Sequence, residues 1–294
     1  MKTTEKIHWA GASIGNSWYE KVAINVPVIL HGQKHFFQLD TSSPQSFIFS
    51  NALELFKRNK PGDKIAIEGM VPGLEFSHNF ICAPFEKTNN PLSNTKLQCS
   101  GIIGIDFIAE KGIILDLKND TVSFPENKDL PVSPHSVEKI NAYIDNHLFF
   151  DISIENDRSF KVLLNTGPGI FPLIVQKNVW EKLTLVKDSI FTESSFSQMQ
   201  SGTYKPIDLV AQSCQVNTKP DILNLQDVPV YYPKKGDSLF CFEHLKYSAI
   251  SGHSLFYNTG LFVDPSTDFF ALFDPEPEAE ELLSNERLSY KKGF

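Results

Sequence analysis

The chain has 294 residues, with a hydrophobic share of 41%, a charged share of 21% and a formal net charge of −8. That length accommodates two domains of ordinary size, the balance suits a soluble globular chain, and the acidic net charge argues against a nucleic-acid partner, which needs a basic footprint. No run approaches the ~18 consecutive apolar residues of a membrane-spanning helix, and no apolar stretch follows the basic start Met1-Lys2-Thr3-Thr4-Glu5-Lys6, so neither a membrane span nor a secretory signal peptide is expected.

Strand signals dominate, and the 24 phenylalanines add to them because Phe suits half-buried strands. Gly11-Ala12-Ser13-Ile14-Gly15-Asn16 contains glycines but lacks the spacing of a nucleotide loop. Val22 to Leu30 is an apolar run split by Asn25 and Pro27; after the turn His31-Gly32-Gln33, His35 to Leu39 follows as its partner. Ser50 is placed to cap a short helix, Asn51 to Arg58. Lys64 to Glu68 alternates, Gly69-Met70-Val71-Pro72-Gly73 turns, and Leu74 to Ala83 is again strand-like, which makes a hairpin. Pro125 to Pro134 is rich in proline and charge and reads as a linker. Ser136 to Asn146 leads on as a short helix or a strand, and Lys177 to Leu183 offers a helix with Trp180 and Leu183 on one face. From Pro275 the chain turns acidic and reads as a marginally helical tail. The expected division is a first lobe at 1–133, a second at 134–274 and a tail at 275–294.

The second half repeats the first. Phe36-Phe37-Gln38-Leu39 runs into Asp40-Thr41-Ser42, and Val162-Leu163-Leu164 runs into Asn165-Thr166-Gly167. Each copy then carries an apolar run with a glycine, Ile102-Ile103-Gly104-Ile105 and Ile250-Ser251-Gly252, and later an apolar-Asp marker, Ile114-Leu115-Asp116-Leu117 and Phe262-Val263-Asp264-Pro265. The glycines are 148 apart and the aspartates are 148 apart, whereas the loop residues are 125 apart, so about 23 extra residues lie between loop and glycine in the second copy. Two copies imply a paired, pseudo-symmetric fold rather than a solenoid.

The doubled constellation resembles the pepsin/retropepsin superfamily of aspartic proteases, and in particular its two-lobed bacterial members, over roughly residues 20–125 and 148–274. Gly101-Ile102-Ile103-Gly104-Ile105-Asp106-Phe107 is similar to that family's second signature element. The resemblance implies an all-β fold of two pseudo-symmetric lobes, few short helices, a central cleft with both loops at its floor, and no cofactor or metal. It also implies two carboxylates that share one proton, because like charges so close cannot both ionise. One takes a proton from the attacking water and the other polarises the scissile carbonyl. By resemblance, Asp40 and position 165 form the pair, Thr41 and Thr166 brace the loops through their hydroxyls, Ser42 and Gly167 are the small residues that follow, and the hairpin around Met70, Val71, Pro72 and Gly73 is the flap over the cleft.

Three departures matter. Ser42 replaces the first glycine, the flap has no tyrosine, and Asn165 replaces the second aspartate. An amide cannot pass a proton back; general acid–base catalysis is worth ~10²–10⁴-fold, and the members of one catalytic unit fail together. Without a charged neighbour, Asp40 is expected near an ordinary aspartate pKa of about 4. Three origins stay open for Asn165: natural loss of catalysis, an engineered Asp→Asn exchange, or a purely structural loop. The resulting expectation is a monomeric pseudo-peptidase that holds extended polypeptide by strand addition, with no nucleic-acid or membrane partner. The alternative is an active aspartic endopeptidase. The glutamate-rich tail resembles the signals of effectors exported by bacterial type IV secretion, so the expected location is cytoplasmic, or exported without a cleaved signal peptide. Asp106, Asp116 and Asp264 read as structural carboxylates, and Cys82, Cys99, Cys214 and Cys241 as reduced thiols. His78 with Cys82, and Cys241-Phe242-Glu243-His244, have ligand-like spacing but no second pair nearby, so neither reads as a metal site.

Overall fold

Strands dominate the residues that the computed structural model describes, namely 4–14, 17–50, 52, 59–84, 99–125, 137–154, 158–167, 169–185, 193–200, 203–223, 225–234 and 246–275, and the fold is all-β. The first half forms β1 (Glu5–Lys6), β2 (His8–Ile14), β3 (Ser17–Leu30), β4 (Gln33–Leu39), β5 (Phe47–Phe49), β6 (Lys64–Val71), β7 (Leu74–Ala83), β8 (Cys99–Ile103), the helix α1 (Ile105–Lys111), β9 (Ile113–Asp116) and β10 (Thr121–Ser123). The second half forms β11 (Val137–Lys139), β12 (Ala142–Ile144), β13 (Leu148–Ile154), β14 (Arg158–Asn165), β15 (Leu173–Val175), the helix α2 (Lys177–Thr184), β16 (Glu193–Gln200), β17 (Thr203–Ser213), β18 (Thr218–Lys219), β19 (Pro229–Pro233), β20 (Ala249–Gly252), β21 (Gly260–Asp264) and β22 (Phe269–Phe273). No helix among the described residues is long and apolar enough to cross a membrane.

Local chemistry sets the hairpins. His31 and Gly32, both at positive φ, close β3 onto β4 in two residues, with Leu30 opposite Gln33, a turn whose twist matches that of the strands. The next hairpin is longer than its sequence pattern indicates: β6 runs through Gly69 to Val71, which pairs with Leu74, and only Pro72 and Gly73 remain in the turn. Residues 137–139 and 142–144 are strands, which decides between the two readings of that stretch. The α2 helix buries Val179, Trp180 and Leu183, the face its sequence presents. The helix expected over 51–58 (Ala52 apart), the linker from 126, the tail from 276 and the segment 241–244 lie outside the described residues.

Three sheets result. One has the order β2-β3-β4-β8-β5-β7-β6, and β3 also meets β6 through Ile29 and Met70. A second has the order β12-β13-β14-β20-β15-β19-β17-β16, with β18 on β13. The two repeat the same central pairings. β4 and β8 are parallel, as are β14 and β20; β5 and β8 are antiparallel, as are β15 and β20; β5 and β7 are parallel, as are β15 and β19. The extra length of the second copy lies between β15 and β19, partly in β16 and partly in the connection from β17 to β19 that carries β18. β17 lies beside β19 as β6 lies beside β7, and β16 is an added edge strand. The third sheet, β1-β10-β9-β21-β22-β11, draws strands from both halves and joins them where β9 pairs with β21. The main core likewise spans both halves, with Phe37, Leu39 and Ile103 in the same cluster as Val162, Leu164 and Trp180. Alternation along β14 sends Leu163 to the opposite face, where it packs with Phe149, Phe171 and Ile174. Asn165 lies two residues on, on that same face.

Candidate functional site

Strands β4 and β14 end at the same place, and each carries its three-residue motif there. Parallel strands hold the two roots: the Asp40 N–H donates to the Ile103 carbonyl at 3.0 Å, and β14 pairs Asn165 with Gly252. The apolar-Gly markers must be glycine for a steric reason. A Cβ at Gly104 would lie 2.5 Å from the Gln45 carbonyl oxygen, and one at Gly252 would lie 2.2 Å from that of Gly169. In each half the chain leaving the motif passes directly over its marker glycine.

The two threonines lock the loops to each other. The Thr41 N–H donates to Thr166 Oγ1 at 3.0 Å, and the Thr166 N–H donates to Thr41 Oγ1 at 3.1 Å. Each hydroxyl then donates onward across the interface, Thr41 to the Leu164 carbonyl at 2.6 Å and Thr166 to the Leu39 carbonyl at 3.1 Å. Both side chains are buried, so these four bonds are shielded from water.

Asp40 and Asn165 face one another beside this lock. A Cβ built on Gly167 would lie 3.0 Å from Asn165 Oδ1 and 3.0 Å from Asp40 Oδ2, so the two oxygens are within twice that distance of each other. Gly167 is therefore glycine because both functional groups crowd the space its side chain would take. Asn165 Oδ1 accepts from the Gly167 N–H at 2.9 Å. Asp40 Oδ1 accepts from the Ser42 N–H at 2.9 Å and the Ser42 hydroxyl at 2.6 Å. Ser42 thus adds a bond that glycine could not make. Burial pushes the Asp40 carboxyl above its ordinary range; the Ser42 hydroxyl, the Ser42 and Ser43 main chain and the charge of His147 oppose this without cancelling it. The expectation of an ordinary aspartate pKa is corrected on this point: removing a charged neighbour does not remove desolvation.

The structure brings together Asp40, Thr41, Ser42, Asn165, Thr166 and Gly167, but it does not bring the Met70–Gly73 hairpin to them. That tip lines one shallow pocket together with Pro27, Ile29 and Lys34, and Pro72 accepts a bond from the Phe124 N–H. Lys34 lies six residues before Asp40 on β4, roughly 20 Å away at ~3.3 Å per residue. Met70, Val71, Pro72 and Gly73 therefore do not cover the pair. The hairpin ends at the far end of β3 and β4, where Met70 pairs with Ile29.

Two histidines outside both motifs belong to the surroundings of the pair. His147 precedes β13 and senses the charge of Asp40; burial lowers its pKa, while Asp40, Asp145 and the Ser42 main chain pull it up. His253 lies behind the second loop, with Nε2 3.1 Å from the Lys21 carbonyl oxygen and its ring 5.1 Å from that of Trp9. Burial lowers His253 to about 4, so it is neutral at physiological pH and donates to Lys21. The Tyr257 hydroxyl donates to the same carbonyl at 3.1 Å. Both residues pin the β2–β3 hairpin of the first half to the second half.

The remaining carboxylates do structural work. Asp106 accepts from the Ser46 N–H and hydroxyl and meets His78, Asp116 accepts from Asn119, and Asp264 accepts from Ser266 and Thr267. His78 is engaged by Asp106 and Glu110 rather than by Cys82. Among the described residues no group of three His, Cys, Asp or Glu side chains could hold a metal ion. The site therefore offers a carboxylate that accepts hydrogen bonds, an amide that donates and accepts them, and an imidazole nearby. No protein-family model matches the chain, and no curated protein matches it.

Proposed function

We propose that this protein is an aspartic-peptidase-like binding module that holds an extended polypeptide over Asp40 and Asn165 without cutting it. The carrying observation is the pairing of one carboxylate with one carboxamide at the ends of two loops locked by Thr41 and Thr166. An extended polypeptide presents alternating N–H and C=O groups. A carboxylate accepts from the first and an amide N–H donates to the second. Neither contact needs a proton transfer. Cleavage does need one, and Asn165 cannot supply it.

Incubation with a diverse peptide library from pH 3 to 7 should give capture of peptides, weakened in Asp40→Ala, and no cleavage products. Turnover that disappears in Asp40→Ala would overturn the reading. In Asn165→Asp the two carboxyls can share a proton, and endopeptidase activity blocked by a pepstatin-type peptide would mark the wild type as a peptidase scaffold stopped at one residue. No gain of activity would leave the active-peptidase alternative without support.

A further inference from the structure

The second copy departs from the first one step past its marker glycine. Ile105 follows Gly104, and His253 follows Gly252, 148 residues on. Both side chains are buried, but Ile105 is apolar and His253 can take a charge. Apolar packing alone does not call for an imidazole at this position.

The ring joins two parts of the molecule. On one side is the second loop. A Cβ on Gly169 would lie 2.5 Å from His253 Nδ1 and 2.8 Å from the Asn165 carbonyl oxygen, so Gly169 is held between the ring and the Asn165 main chain. On the other side is the β2–β3 hairpin of the first half, where Nε2 donates to the Lys21 carbonyl at 3.1 Å and the Trp9 ring lies 5.1 Å away. Tyr257 adds a third wall, its ring 5.7 Å from the imidazole and its hydroxyl on the same carbonyl.

His253 has no exposed surface, and its one hydrogen bond uses Nε2. Nδ1 is buried and has no hydrogen-bond partner among the described residues, and a second proton would go there. The charged and titratable groups around the ring offer that proton no counter-ion. The Lys21 ammonium has the same sign and lies over the Trp9 and Tyr257 rings, at 5.0 and 5.6 Å. Asp120 is engaged by that ammonium at 2.7 Å and by the Trp9 indole N–H at 3.0 Å. Tyr257 stays neutral, because burial pushes its pKa up to about 12. Asp40 meets the second loop at Gly167 rather than at the ring. A buried charge without a partner is strongly disfavoured, so protonation of the ring requires the cage to admit water.

We propose that His253 is an acid-sensitive latch: neutral, it clamps the Asn165 loop to the first half, and protonated, it lets the two part. The titration agrees with the geometry. Burial holds the His253 pKa down at about 4; the Lys21 carbonyl and the Thr166 main chain pull it up less strongly, and the Lys21 charge adds to the lowering. The unfolded value is 6.5, so the latch's contribution is complete above pH 6.5 and is lost as pH falls through about 4. His253 is a positioning residue, because it acts on Asn165 through Gly169. The inference deepens the polypeptide-binding reading and rests on it for one consequence: acid releases the ligand, because the Asn165 loop loses its fixed place beside Asp40.

An imidazole NMR titration of the wild type tests the latch directly. The His253 ring should stay neutral, with its proton on Nε2, and titrate near pH 4; a midpoint near 6.5 would overturn the latch. His253→Gln supplies a side chain that can donate to Lys21 but does not titrate. Amide-exchange protection at Gly167 and Gly169 should drop in the wild type as pH falls from 6.5 to 4 and hold in His253→Gln; equal drops in both count against the latch. Should that variant fail to fold, the wild-type ring titration still decides. Capture of a pepstatin-type peptide should weaken about tenfold over the same range in the wild type and less in the variant, and parallel losses count against the latch. Failure of the wild type to capture the peptide at every pH counts against polypeptide binding, while the ring titration and the exchange still decide the latch.

Discussion

Asp40 is held by the Ser42 N–H and hydroxyl and still has a raised pKa, because burial is the largest influence on it. A folded-state pKa above the unfolded value means that the carboxyl favours folding only while protonated. That contribution is complete below about 3.8 and is lost as pH rises through the folded value. Asp40→Asn should therefore raise Tm by a few degrees at pH 7, with the gain closing as pH falls below 4; thermal melts across that range check it, and an unchanged Tm at pH 7 would contradict it. The threonine lock makes the opposite prediction. Thr41→Val keeps volume but strands the Thr166 N–H and the Leu164 carbonyl in a buried site, where each unsatisfied group costs roughly 1–3 kcal/mol. Chemical denaturation should show a loss of about 2–4 kcal/mol, and Thr41→Val with Thr166→Val should cost less than the two singles together, since one broken lock admits water to both loops. The lock residues were legible because each sits at a fixed step from Asp40 or Asn165. His253 was not: its ring lies against Gly169 of the second loop and meets Lys21 of the first half, and nothing in Gly252-His253-Ser254 announces either contact.

At the level of elements, α1 meets β7 through Phe107, which packs on Phe76 and Phe80, and through an ionic cluster centred on His78. His78 meets Asp106 at 3.3 Å and Glu110 at 2.8 Å, one helical turn apart on α1. Burial pulls His78 down, but bonds to Asp106 and Glu110 outweigh it, and the net shift is upward. Burial likewise raises Asp106 and Glu110, and their bonds, chiefly to His78 and Ser46 for the first and to Lys111 and His78 for the second, bring both below their ordinary values. The histidine's contribution is complete below 6.5 and is lost as pH rises through its raised value; that of the carboxylates is present above 3.8 and 4.5 and is lost as pH falls through their lowered values. The cluster therefore stabilises most between roughly pH 4.5 and 6.5. His78→Gln should lose on the order of 2 °C in Tm at pH 6 and little at pH 9, so that its profile is flatter than that of the wild type; parallel profiles would refute the assignment. Elements built on local signals, such as the His31-Gly32 turn and α2, could be read from the sequence. The role of the β6–β7 hairpin could not, because Pro72-Gly73 fixes a turn but not the surface that the turn meets.

The whole molecule depends on a sheet that neither half completes alone. The repeat could be seen in the sequence as three doubled markers. It gave no sign that β9 pairs with β21, because two apolar strands 148 residues apart carry no code for being neighbours rather than equivalents. In that pairing Ile113, Ile114 and Leu115 face Val263, Phe262 and Leu261, and all six are buried. Returning them to water would cost about 1.5–3 kcal/mol for each side chain, a total comparable with the roughly 5–15 kcal/mol that stabilises a typical domain. The threonine lock and the bonds from His253 and Tyr257 to Lys21 would be lost as well. Two chains produced with a break between Pro125 and Val137 should therefore co-purify as a one-to-one complex with the circular dichroism of the intact protein. Each chain alone should aggregate or melt without a cooperative transition. A first half that sediments as a folded monomer with a sharp melt would show that the shared sheet is dispensable and that Asp40 can be held in place without Asn165.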